Sequence, residues 1–464
     1  MNIRLKNIGI IKNSSVAIDG ITVITGKNNS GNSTFGKAVY SVVSAAENLY
    51  ESATADIVGY AEGLVTKRLR SSKISFLFRG ILNLSFDNMS FLEDAYNQSY
   101  PPVSSIPELK DLVMFIISAV DGIKLEQEEE LLIKAGLIKP GDLEEAKTKL
   151  SRELRDVPKL IDQYNDFTLY EQRKLTETLR EEYSTQLTPV KRKDITECEI
   201  VVQTDDGVYR AAYDVKGHKV EYSGIMPFSE EDNVLFIDDA AIIDEIKLNR
   251  KLRNNPFTGI ENFELYIRAL KHDVALSRKL EKKSKGIIGT MIDEDRYREV
   301  EALINTVIND DIVEKDNRYV YSSDGLELSN LATGAKIFLV LKILLMNGSI
   351  NKNTILILDE PESHLHPEWQ NLFAQVVTLL VKEMGIKVVL TSHSPNFVLA
   401  MQTYSMKYNL GKITNFYTTV KDEDGYRVDY KHVDDTTEIY ADFAKFFSQI
   451  KAKYDMLRYG DDDD

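Results

Sequence analysis

Residues Ile21 to Thr25 form a short apolar run that passes without a break into Gly26-Lys27-Asn28-Asn29-Ser30-Gly31-Asn32-Ser33-Thr34, and from Phe35 to Leu64 the spacing is helical with few breakers. A strand, a glycine-punctuated loop and a helix in that order direct the chain toward an α/β fold with the loop at a sheet edge. The loop fits the phosphate-binding pattern G-x-x-x-x-G-K-[ST] at every fixed place but one, because Asn32 stands where the lysine belongs. The glycines let backbone N–H groups curl around phosphate oxygens, the helix starting near Ser33 aims its positive end at them, and Ser33 can bind Mg²⁺. Losing the lysine removes a charge-assisted contact worth about 1.5–3 kcal/mol, on the order of 10- to 100-fold in affinity. Hydrolysis should suffer more, since that charge also stabilises the transition state. An ordinary glycine–asparagine turn is the structural alternative.

A second apolar run, Ile355-Leu356-Ile357-Leu358, ends in Asp359-Glu360-Pro361. Two acids at the C-terminal edge of a buried strand sit where open α/β sheets bind ligands. Asp359 is expected to hold the metal, and Glu360 to orient and deprotonate an attacking water. The plainer alternative is that the acids cap the next helix. About 25 residues earlier lies Leu328-Ser329-Asn330-Leu331-Ala332-Thr333-Gly334-Ala335-Lys336, just before a helical stretch from Leu331 to Met346. His393, in Thr391-Ser392-His393-Ser394, ends the next apolar strand, Lys387 to Thr391. Such a histidine alone is more often structural than functional.

Continuous apolar strands alternating with helices indicate a parallel sheet covered on both faces. Between the two ends the text changes. Ser104 to Thr188 reads as a charged helical insertion, Cys198 to Tyr222 as a hairpin or meander, and Asn262 to Asn309 as an exposed helical arm or interprotomer surface broken near Lys285-Gly286. The expected organisation is a first lobe with the phosphate loop at 1–100, the insertion at 101–195, a β-rich return at 196–255, the arm at 256–315 and a second lobe at 316–464.

With 464 residues, 43% hydrophobic, the chain can bury a large core. No apolar run approaches the roughly 18 residues needed to span a bilayer, so a soluble, cytoplasmic protein is expected. The single cysteine, Cys198, leaves no disulfide partner. A charge balance of 57 basic against 73 acidic residues argues against a general polyanion-binding surface and confines any DNA contact to a local groove or a partner.

The ordered series of motifs resembles ABC and SMC-like ATPases, and this implies an ABC-type ATPase head: a mixed sheet with flanking helices, a P-loop core and helical insertions. The resemblance implies that Thr333, Gly334 and Lys336 belong to a signature motif, where Thr333-Gly334 contacts the γ-phosphate bound to an opposite copy. It also implies that His393 is the switch histidine, and that Ala332 replaces the usual signature serine. Asp359-Glu360-Pro361-Glu362-Ser363-His364-Leu365-His366-Pro367 is similar to a segment of the OLD-like ATPases, and Asn330 to Lys336 looks most like the PtuA family of Septu anti-phage defence ATPases. That family implies ATP and Mg²⁺, a homodimer or higher even oligomer, a PtuB-like HNH endonuclease partner, and contact with DNA through the complex.

A nuclease of the chain's own is not expected. About seventy residues follow His393, without the spaced acids of a Toprim domain. Asp238-Asp239 with Glu245-Ile246-Lys247 reads better as a strand end followed by an amphipathic helix than as a metal nuclease. His364 and His366 lack the further ligands of ordinary zinc spacing, and His218, His272 and His432 are isolated. Three functions stay open: a nucleotide-gated regulator of a partner nuclease, a RecF- or SMC-like repair ATPase acting on DNA directly, and an ATP-binding scaffold with little hydrolysis.

Overall fold

The structure, a computed structural model, describes residues 1–27, 30–75, 106–163, 167–189, 192–244, 270–282, 297–310, 312–315, 318–323 and 325–459. They divide into two units: the described parts of 48–171 form one, and the described parts of 1–47, 172–254 and 266–464 form the other.

The larger unit is built on an eleven-stranded sheet. Its strands are β1 (Asn2–Ile8), β2 (Ile11–Ala17), β3 (Ile21–Thr25), β4 (Glu197–Thr204), β5 (Gly207–Asp214), β6 (Lys219–Ser223), β7 (Asn233–Ile237), β10 (Thr354–Asp359), β11 (Lys387–Ser392), β12 (Thr414–Lys421) and β13 (Val428–Val433). β8 (Ile312–Lys315) and β9 (Arg318–Tyr321) make a separate antiparallel hairpin. The sheet order is β6-β5-β4-β1-β2-β13-β12-β3-β11-β10-β7. β12, β3, β11, β10 and β7 run parallel, whereas β1, β2, β4, β5 and β6 pair antiparallel.

Burial explains the sequence text of the two halves. β3 and β7 are buried at every residue, as strands covered on both faces must be, so they read as unbroken apolar runs. β1 alternates between buried and exposed positions because one face meets solvent. Along β10, Leu356 and Leu358 enter one core while Ile355 and Ile357 enter the other.

Helix α1 (Asn32–Ala46) covers one face of the sheet. It lies so close that a Cβ on Gly36 would approach Ile357 Cγ2 to 3.0 Å and the Phe236 ring to 3.2 Å. The opposite core takes side chains from α9 (Thr333–Met346), α10 (Pro367–Met384) and α11 (Pro395–Lys407).

The stretch read as one helix from Phe35 to Leu64 is two. Asn48, at φ +48°, separates α1 from α2 (Leu49–Ser71), and the division between the units falls there. The smaller unit is helical, with α2, α3 (Ile106–Gly122), α4 (Glu126–Lys134) and α5 (Asp142–Gln163). On α5, Leu143, Leu150, Leu154, Val157 and Ile161 recur at helical spacing and are buried together with Val113 and Ile117 of α3. Helix α6 (Phe167–Glu182) begins in this unit and ends in the larger one.

Of the stretch read as an exposed arm, residues 262–269 and 283–296 lie outside the described residues. The described helices, α7 (His272–Leu280) and α8 (Arg298–Asn305), are core elements instead: Leu276, Leu280, Val300 and Ile304 are buried against α9 and the sheet. Charges on their outer faces mask this inward face in the sequence.

Candidate functional site

Three parallel strands end side by side. Thr25 of β3 is opposite Ser392 of β11, and Thr391 of β11 is opposite Asp359 of β10. The phosphate loop, His393 and the Asp359-Glu360 pair therefore leave the same C-terminal sheet edge, where ligands bind in open α/β sheets. On the far side of β10, Ile237 of β7 is opposite Leu358, which brings Asp238 to that edge as well.

Asn28 and Asn29 lie outside the described residues. Around them the loop is built for close approach. Gly31 takes the left-handed conformation, φ +82°, at the start of α1, and a Cβ on Gly26 would run into Thr419 Oγ1 and Ser30 Oγ. Ser30 Oγ donates to Asn32 Oδ1 at 3.2 Å. Asn32 is 5% exposed, and its Nδ2 is a buried donor with no hydrogen-bond partner. Helix α1 has no side-chain cap and no acid in its first turn, so its N-terminal N–H groups keep their attraction for an anion. Ser33 is exposed and Thr34 half-buried. An orphaned donor, an uncapped helix start and glycines that exclude a Cβ fit a bound phosphate chain.

Tyrosines from distant parts of the chain hold the loop from below. Tyr430 Oη donates to Gly31 O at 2.6 Å, and Tyr183 Oη donates to Thr34 O at 2.7 Å. Burial, and then the charge of Asp359, push the Tyr430 phenol well above its usual range.

At the acidic end, Thr391 organises the pair. Its hydroxyl donates to Asp359 Oδ1 at 2.5 Å and accepts the Glu360 N–H at 3.0 Å. Glu360 has φ +49°, a conformation that costs a non-glycine residue on the order of 1–3 kcal/mol and persists only where its surroundings enforce it. Glu360 Oε1 lies 2.6 Å from His393 Nε2, and His393 Nδ1 hydrogen-bonds to the Gly26 carbonyl. A carbonyl can only accept, so Nδ1 carries a proton.

Glu362 fixes the histidine turn. Its Oε1 accepts from Ser392 Oγ at 2.5 Å, His393 N at 3.0 Å and Ser394 N at 3.3 Å. Burial raises its carboxyl above the usual range, against the lowering pull of the Ser392 hydroxyl and those amides. Ser394 Oγ donates to Gln370 Oε1 at 2.8 Å, linking the turn to α10.

The predicted signature lies beside the loop that follows Glu360. Leu328–Asn330 is a single 3-10 turn, and Ala332 precedes α9 without a side-chain cap, which leaves that helix start open. Ala332 and Thr333 are exposed. A Cβ on Gly334 would come within 2.7 Å of His364 O, so the signature packs on the loop that follows Glu360. Lys336 is buried with its Nζ 2.5 Å from Asp244 Oδ2, and within one chain that carboxylate takes its charge. Among the described residues no hydrogen bond joins 330–336 to the phosphate loop of the same chain. His366 Nδ1 accepts the Glu368 N–H at 3.4 Å and caps α10.

His272, isolated in the sequence, is the centre of a buried cluster. Its Nδ1 lies 2.7 Å from Glu182 Oε2 and its Nε2 2.9 Å from Asp238 Oδ2, while its ring stacks on Phe236. Burial alone would lower the imidazole, but hydrogen bonds to Asp238 and Glu182 outweigh it and raise its pKa to about 9. Glu245 and Lys247 lie outside the described residues.

The mixed sheet, the loop between β3 and α1, and the helical cover on both faces define an ABC-type ATPase head. The chain belongs to the AAA ATPase domain family, whose model matches residues 1–398. Similar solved structures include an SMC head domain from Thermotoga maritima, at 9% identity and a TM-score of 0.37, covering 94% of this chain and 98% of that one. An SmcHead bound to the C-winged helix domain of ScpA matches at 12% identity and a TM-score of 0.38, with the same coverages. An Smc head domain with an extended coiled coil, bound to the C-terminal domain of ScpA derived from Pyrococcus furiosus, matches at 10% identity and a TM-score of 0.41, covering 97% and 98%. No curated protein matches the chain. No helix among the described residues is long and apolar enough to cross a membrane.

Proposed function

We propose that the chain binds ATP with Mg²⁺ at this sheet edge and that two copies complete the site. The observation that carries the reading is the His393 bridge, one ring nitrogen on the phosphate-loop carbonyl of Gly26 and the other on Glu360. ATP would supply the phosphoanhydride to be cleaved, and Mg²⁺ the charge that neutralises its oxygens. Backbone N–H groups from Gly26 to Thr34, with Asn28, Asn29 and Ser30 among them, hold the phosphates, and Asn32 Nδ2 adds a neutral donor in place of a lysine. Ser33 and Asp359 hold the metal. Glu360 takes the proton of the attacking water, and His393 fixes the carboxylate and shares its proton. Thr333 and Gly334 of a second copy present an open helix start to the γ-phosphate.

Within this reading the chain is a cytoplasmic, ATP-gated subunit of an anti-phage complex that regulates a PtuB-like HNH endonuclease. The motifs at Asn330–Lys336 and Asp359–Pro367 support it. Turnover is slow, because Asn32 brings no charge to the transition state. That same residue favours a second reading, an ATP-binding scaffold that hardly hydrolyses. Calorimetry with MgATP, followed by phosphate release under single turnover, separates the two. Binding with slow release supports the first, binding without release the second, and absence of binding contradicts both. Co-purification with an HNH protein at fixed stoichiometry tests the partner; recovery with DNA alone would favour a repair ATPase.

A further inference from the structure

The last helix, α12 (Thr437–Tyr459), lies beyond residue 398, where the family match ends. Its apolar residues Tyr440, Phe443, Phe447, Ile450, Tyr454 and Leu457 follow steps of three and four in strict alternation, the a and d positions of a heptad repeat. The first two pack against the core beside buried Ile439, and Tyr440 Oη donates to Gln402 Oε1 at 3.1 Å. The next four have left it: Phe447 is 72% exposed, Ile450 71%, Tyr454 53% and Leu457 75%. One continuous stripe thus begins on the core and runs off it into solvent. A projecting segment this short is marginal as a helix in water unless its apolar face is covered.

The flanks say what covers it. With Tyr440 at a, the e positions along the projecting part are Lys451 and Arg458, and Lys453 stands at g. Residues 445–458 hold four basic side chains against one acid, Asp455, in a chain whose net charge is −16. We propose that this stripe docks an amphipathic helix of a partner protein whose own a/d stripe is flanked by Glu or Asp. A second copy of α12 fits poorly. Parallel pairing would set Lys453 against Arg458, and antiparallel pairing would set e against e and g against g, cation facing cation either way. The proposal does not depend on the nucleotide-site reading.

The test uses the full chain and two labelled synthetic heptad peptides of equal length, both with Leu at a and d, one with Glu and the other with Lys at e and g, followed by fluorescence anisotropy. The Glu peptide should bind with a Kd on the order of micromolar, at least about tenfold tighter than the Lys peptide, and weaken as salt rises. The double variant Phe447→Ser with Ile450→Ser should lose that binding, and Lys451→Glu with Lys453→Glu should reverse the preference. Both variants change exposed positions and should melt as the parent does. Equal binding of the two peptides, binding of neither, or an unreversed preference in the charge variant would overturn the proposal. So would a fall in the mass of the free protein on mutating Phe447 and Ile450, which would assign the stripe to a second copy.

Discussion

His393 touches both halves of the candidate site, with Nε2 2.6 Å from Glu360 Oε1 and Nδ1 hydrogen-bonded to the carbonyl of Gly26. A single ring therefore joins the phosphate loop to the acidic strand. His393→Ala should lower single-turnover hydrolysis by about 10²–10⁴-fold while ATP affinity changes less than about tenfold. Glu360→Gln should keep ATP bound and uncleaved. Equal losses of affinity and rate in His393→Ala would reduce the histidine to a prop for the loop.

Asn32 keeps a buried donor without a partner where the loop pattern has a cation. Asn32→Lys should raise ATP affinity about 10- to 100-fold and speed phosphate release by more. Unchanged release in that variant would show that the position does not limit turnover.

The Glu182–His272–Asp238 cluster makes stability depend on pH in a definite direction. His272 has a folded pKa of about 9, above its unfolded value. Its contribution is thus complete below about pH 6.5 and is lost as pH rises through about 9. His272→Gln should cost on the order of 3 kcal/mol at pH 6, leaving Glu182 buried and poorly paired. Melting curves from pH 6 to 10 should show parent and variant converging at the alkaline end; a constant gap would mean the histidine acts by shape alone.

Glu362 is a carboxyl raised by burial, so the stability it contributes is complete below its unfolded pKa and is lost as pH rises through its folded pKa. Glu362→Gln, which cannot ionise, should melt no lower than the parent at pH 7. Glu362→Ala strips the acceptor from Ser392, His393 and Ser394 and should cost about 1–3 kcal/mol, with slower turnover as the His393 ring loosens. Equal stability of the two variants would remove Glu362 from the support of the turn.

What the sequence showed follows from what was local. β3, β10 and β11 are buried on both faces, so their apolar runs and the polar residues at their ends stand out, and with them Gly26, Asp359 and His393. β12 and β13 mix buried and exposed residues, and β12 pairs with β3 from nearly 400 positions away. No window of sequence could have placed Tyr430 under Gly31. The left-handed turn at Asn48 was hidden for another reason: with neither proline nor glycine beside it, the helical spacing runs straight through. His272 looked isolated because its carboxylates lie 90 and 34 positions away. Glu362 was in view between Asp359 and Pro367, but its role rests on burial, which spacing does not report.

Closure of the site between two copies is tested most directly by mixing two variants. Thr333→Arg blocks the open start of α9, and Glu360→Ala removes the proposed base; each alone should be inactive. Mixed as equal subunits, half the dimers pair one of each and hold one complete site, so roughly a quarter of the parent rate should return. No recovery on mixing, or full activity of Thr333→Arg by itself, would contradict a shared nucleotide site.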